Sequence, residues 1–107
     1  MRQPRVGILY FEGCPNYESA RALVERVAAE LRVEPWVELV LVPDAEAATK
    51  LRFLGSPTIR VEGRDVEPGA EGRRDFVLSC RVYRSERGLL REPDESWVGE
   101  ALREAAR

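Results

Sequence analysis

Residues Arg5 to Phe11 (RVGILYF) form a short β-branched and aromatic run that leads through a Gly-Cys-Pro turn into an amphipathic stretch. In that stretch Tyr17, Ala20, Leu23, Val24, Val27, Ala28 and Leu31 recur at intervals of three and four, while Arg21, Glu25 and Arg26 fall on the other face. This spacing predicts a helix ending near Leu31, opened by Pro15 at its first position. After Pro35, Trp36 to Val42 (WVELVLV) reads as a second strand. Two strands joined by one helix are expected to be parallel, through a right-handed crossover. This one constraint removes most alternative folds.

The remaining segments complete a sheet. Asp44 is placed to cap a short helix from Ala45 to about Phe53, which Gly55-Ser56-Pro57 breaks. Thr58 to Val61 reads as a third strand. Glu62-Gly63-Arg64 turns it into a short fourth strand near Asp65 to Glu67, an antiparallel hairpin. Residues 69–95 form an insertion. Within it, Phe76 to Tyr83 (FVLSCRVY) reads either as a strand or as an ordered loop. Ser96 or Asp94 caps a last helix, Trp97 to Ala106. The expected fold is α/β, a mixed four-stranded sheet with two parallel strands and an antiparallel hairpin, covered by helices.

Composition narrows the functions. The 107 residues fit one domain, 1–107. The 17 basic residues offset 19 acidic ones for a net charge of −2, so no nucleic-acid surface is expected. No apolar run approaches the ~20 residues of a membrane span, and the first residues lack the pattern of a secretory leader, so the chain reads as cytoplasmic. Lys50 is the one lysine, and Asn16 and Gln3 are the only side-chain amides. Both heat adaptation and a GC-rich genome produce that bias. Histidine is absent, which removes imidazole bases and ligands. With two cysteines, Cys14 and Cys80, a structural zinc site is not expected, nor is a cofactor.

Three features now align: the strand entering Tyr10-Phe11-Glu12-Gly13-Cys14-Pro15-Asn16-Tyr17, the Gly55-Ser56-Pro57-Thr58-Ile59 segment opening the third strand, and the element order. Together they resemble the thioredoxin-like superfamily, over roughly Arg5 to Pro68 plus the last helix. FEGCPNY, LRFLGSPTIR and LSCRVYR are similar to a small prokaryotic branch with a single-cysteine CPNY motif, whose members also carry the label alkylmercury lyase. That activity implies an Asp close behind the first cysteine. Here Tyr17 stands three positions on, so carbon–mercury cleavage is not expected. The resemblance implies a reactive Cys14 facing solvent and a cis bond before Pro57 packed beside it. The second cysteine of Cys-x-x-Cys is replaced by Tyr17, so exchange between neighbouring thiols is excluded.

A thiolate is the nucleophile, and a helix N-terminus favours it through free N–H groups and a positive dipole end. Cys14 precedes such a terminus, with Glu12 and Glu18 opposing by like charge. Cys14 is therefore either the nucleophile or a small buried residue at a strand end. Tyr17 is either a core aromatic or a donor to the thiolate. In the expected topology the chain leaves the fourth strand at the sheet edge where Cys14 lies. Cys80 then either reaches Cys14 as a resolving thiol or belongs to the core with Val77, Leu78 and Val82. Arg60, Arg81 and Arg84 either raise the local potential or lie on a solvated face. Trp36 and Trp97 read as packing residues.

The leading expectation is a thiol-dependent oxidoreductase, possessing catalytic Cys14 and Cys80. Pro15, Tyr17, Ser56, Pro57 and Thr58 would hold a protein or small-molecule thiol or disulfide, extended along the third strand by backbone hydrogen bonds. The alternatives are a thiolate clamp for mercury or copper and a non-enzymatic interaction domain. A second copy of the chain is a further partner that an inserted arm allows.

Overall fold

A computed structural model describes residues 3–107; the rest of the expected 1–107 domain lies outside the described residues. The first apolar run forms β1 (Arg5–Tyr10), and the amphipathic stretch forms α1 (Tyr17–Leu31). β2 (Trp36–Leu41), α2 (Ala45–Lys50), β3 (Thr58–Val61) and β4 (Arg64–Asp65) follow. The sheet order is β2-β1-β3-β4. β1 and β2 are parallel, with Ile8 beside Leu39, whereas β1–β3 and β3–β4 are antiparallel, with Leu9 beside Thr58 and Arg60 beside Asp65. A single 3-10 turn at Ala70–Gly72 leads to residues 73–82, and α3 (Glu95–Ala105) closes the chain.

The continuous apolar character of β1 has a direct cause, because its residues are buried on both faces of the sheet. Val6 and Ile8 pack with Ala20, Leu23, Val24, Val27 and Ala28 of α1, and with Val98 and Leu102 of α3. Leu9 faces the other way and packs with Val42, Ala48 and Phe53 around α2. Placing α1 and α3 together on one face leaves α2 on the opposite face.

Several boundaries differ from the sequence reading. Pro15 lies in a turn before α1, and Asn16 is the N-cap residue, so the helix begins two residues beyond Pro15. Asn16 carbonyl oxygen accepts from the Ala20 N–H and from Ser19 Oγ, which starts the ladder at that point. Trp36 is 63% exposed rather than packed, because it opens β2, an edge strand of the sheet. Trp97 does pack against the larger core. A two-stranded hairpin, β5 (Tyr83–Ser85) and β6 (Gly88–Leu90), occupies the insertion and was not anticipated. No described helix is long and apolar enough to cross a membrane.

Both short-helix caps are explicit. Asp44 accepts from the Ala47 N–H at 2.8 Å. Asp94 accepts from the Ser96 N–H at 2.9 Å and Ser96 Oγ at 2.7 Å, and these two donors hold its carboxyl below the usual range. A carboxylate with a depressed folded-state pKa stabilises the fold above its ordinary pKa and loses that stabilisation as pH falls through the folded value. Asp94→Ala is therefore expected to cost about 1 kcal/mol in denaturant unfolding at neutral pH. Asp94→Asn, which keeps a capping oxygen without a titrating proton, should retain most of that stability and lessen its decline with acid.

Candidate functional site

The site is built where β1 ends and β3 begins. Leu9 pairs with Thr58 near those two termini, so the turn after β1 and the residues before β3 leave the sheet at the same end. The Cys14 N–H donates to the Phe11 carbonyl at 3.1 Å, which folds the turn back on itself ahead of α1. On the other side the Ser56–Pro57 peptide is cis, as the resemblance implied. Ser56, Pro57 and Thr58 are all buried.

Cys14 does not face solvent. It is 4% exposed, which corrects the expectation of an open sulfur at the head of the helix. The turn that folds the Cys14 N–H back onto the Phe11 carbonyl accounts for the difference. Tyr17 stacks on Tyr10 with ring centroids 4.3 Å apart and 16° between planes. The Tyr17 hydroxyl approaches Glu18 Oε1 at 3.5 Å rather than donating to a thiolate. Negative charge on Glu18 holds this hydroxyl above its ordinary pKa, and desolvation, Tyr10 and Cys14 act in the same direction. Tyr17 is thus half-buried within electrostatic reach of Cys14. Pro15 is exposed beside it.

Cys80 is exposed, and both cysteines are free thiols. The segment carrying Cys80 lies against Ser56. The Ser56 N–H donates to the Ser79 carbonyl at 2.8 Å, and the Arg81 N–H donates to the Ser56 carbonyl at 2.9 Å, a parallel bridge between Ser56 and Cys80. Gly55, at φ +118°, permits this approach: a Cβ there would lie 2.9 Å from Arg81 Cβ and 3.1 Å from the Ser79 oxygen. The bridge also corrects an expectation. The main-chain groups of Ser56 that were to hold an extended substrate already bind this chain's own residues 79–81. Those residues, with the anchors described next, cover Ser56, Pro57 and Thr58.

Arg81 anchors the segment. Its side chain is 1% exposed, so the solvated-face reading fails for this arginine. One guanidinium nitrogen, Nη1, donates to Thr58 Oγ1 at 2.9 Å and Asp65 Oδ2 at 2.7 Å. The other, Nη2, donates to Asp65 Oδ1 at 3.2 Å and Glu67 Oε1 at 2.7 Å. The guanidinium carbon sits 4.3 Å from the centre of the Tyr83 ring. Burial alone would pull the Arg81 pKa down; Tyr83, Asp65 and Glu67 outweigh it, and the net shift is upward. Tyr83 is itself buried, its hydroxyl donates to the Pro57 carbonyl, and desolvation raises its pKa far above the ordinary value. Arg73 extends the network by bonding Glu67 and Asp75. Arg60 instead donates to the carbonyls of Leu51 and Arg52, and Arg84 is exposed.

Alternation explains the exposure of Cys80. Arg81 and Tyr83 point inward as anchors, so Cys80 and Val82 between and before them are exposed. The anchors were missed in the sequence, but a signal existed: Asp65-x-Glu67 and Arg81-x-Tyr83 both carry partners two residues apart, the spacing that places side chains on one face of an extended chain. Among the described residues, no cluster of three or more acidic or cysteine ligands could hold a metal ion. No family model, curated protein or solved structure matches the chain.

Two substitutions test the anchoring. Arg81→Met removes the cation and leaves Asp65 and Glu67 facing each other without it, an expected loss of about 3 kcal/mol. Limited proteolysis of residues 73–87 should accelerate in that variant. Gly55→Ala introduces both a positive-φ alanine and a collision with Arg81 Cβ, for an expected loss of at least about 2 kcal/mol by denaturant unfolding.

Proposed function

We propose that the domain is thioredoxin-like and acts as a thiol-dependent oxidoreductase in which Cys14 and Cys80 interconvert between two thiols and one disulfide. The sheet order, with two parallel strands followed by an antiparallel hairpin, supports the architectural half of this reading. So does the position of Cys14 ahead of α1. The chemical half rests on one observation above the others. The Ser56–Cys80 bridge draws the second cysteine of the sequence to the sheet end that carries the first, although 80 − 14 = 66 positions separate them.

The chemistry needs no group beyond the chain and its substrate. With a disulfide RSSR, the two cysteine thiols give up two electrons and two protons. The products are one Cys14–Cys80 disulfide and two RSH molecules. The reverse reaction reduces the protein with two external thiols. Cys14 is buried, and the Arg81 anchor fixes the backbone on which Cys80 sits.

The reading is tested by thiol titration and peptide mapping. After treatment with oxidised glutathione, the wild-type protein is expected to lose both free thiols and yield one Cys14–Cys80 linked peptide pair. Cys80→Ser should yield no linked pair. Two separate glutathione adducts on the wild type, with no linked pair, would falsify the proposal.

A further inference from the structure

Given the thiol-pair reading, on which this step rests, either sulfur could meet the substrate first by chemistry alone. We infer that Cys80 is the receiving thiol and Cys14 the closing one, the reverse of the order suggested by the helix-head position of Cys14. The two thiols differ sharply in access: Cys14 is 4% exposed and Cys80 is exposed. Thiol–disulfide exchange requires the attacking sulfur, the attacked sulfur and the leaving sulfur to meet, so access limits the first collision. The outward position of Cys80 rests on several contacts. Cys80 is held outward because its neighbour Arg81 is tied inward to Thr58, Asp65 and Glu67, while Ser79 and Arg81 fix the backbone on Ser56. Cys14 is held inward by the turn to Phe11, beside the stacked Tyr10 and Tyr17.

The order of steps follows. The Cys80 thiolate attacks one sulfur of a disulfide RSSR. A Cys80–S–S–R bond forms, the S–S bond of RSSR breaks, and RS⁻ departs and takes up a proton. The Cys14 thiolate then attacks the sulfur of Cys80. The Cys14–Cys80 bond forms, the bond from Cys80 to the R-bearing sulfur breaks, and the second RS⁻ leaves and is protonated. The dithiol is oxidised by two electrons and RSSR is reduced by two. The second step is intramolecular and does not require Cys14 to be open to solvent. The main chain of Ser56 is already paired with residues 79–81, so the first step draws on an exposed thiol rather than on a docked strand. A low-molecular-weight disulfide satisfies that requirement.

Single-cysteine variants separate the roles. Cys14→Ala keeps Cys80 alone and should react with oxidised glutathione under native conditions, stopping at one mixed disulfide. Cys80→Ser keeps Cys14 alone and should react about 100-fold more slowly, because its sulfur is reached only through local opening. The two rates should converge in denaturant. Mass-resolved alkylation of the unsubstituted, reduced protein by iodoacetamide should mark Cys80 first, which gives the order without any substitution. Equal or faster native reaction at Cys14 in both measurements would overturn the order while leaving the pair intact. A wild-type protein that accepts glutathione at Cys80 and never forms the linked pair would overturn the closing step and the pair reading together.

Discussion

A buried guanidinium with three kinds of partner organises this end of the molecule. Arg81 meets the carboxylates of Asp65 and Glu67, the hydroxyl of Thr58 and the face of Tyr83. A charge this deep is tolerated only where its attractive partners offset lost hydration, and such groups are worth more as determinants of geometry than of net stability. Here the geometry is specific. The carboxylates follow the β3–β4 turn, Thr58 opens β3, and Arg81 sits in the insertion. One side chain therefore joins the end of the sheet to a segment that would otherwise be a surface loop.

Much of the architecture was legible in local pattern. The strand-helix-strand unit declared itself through a change from a continuous apolar run to a period near 3.6, and the Gly63 turn declared the hairpin. The Asp44 cap follows from residue chemistry alone. The insertion was harder to read because its order comes from long-range contacts. Phe76 to Tyr83 has no clear period, since Arg81 supplies a charge where alternation calls for an apolar side chain. A pattern reader assigns that arginine to solvent, and only the opposing Asp65 and Glu67 explain its burial. The β5–β6 hairpin was missed for a related reason: its strands have three residues each, too few to express alternation.

The candidate site was legible in residue type and less so in exposure. β1 ends and β3 begins at one end of the sheet, and the Ser56–Cys80 bridge lies just before β3. The accessibility of the two thiols is not carried by the order of the elements: Cys14 is buried and Cys80 is exposed. Helix-head position describes the electrostatic surroundings of a thiol. Which molecules can touch it is decided by what packs over the turn.

The residues after β4 are more than an appendage. Pro57 and Thr58 receive bonds from Tyr83 and Arg81, and Phe53 receives one from the Val77 amide. Truncating the chain to its four-stranded sheet and helices would bare the start of β3, strand two acidic side chains without their cation and unroof the aromatic beneath α2. The smallest unit of this architecture that can hold itself together therefore includes the cysteine-bearing insertion, and any attempt to shorten it must replace Arg81's role as a rivet.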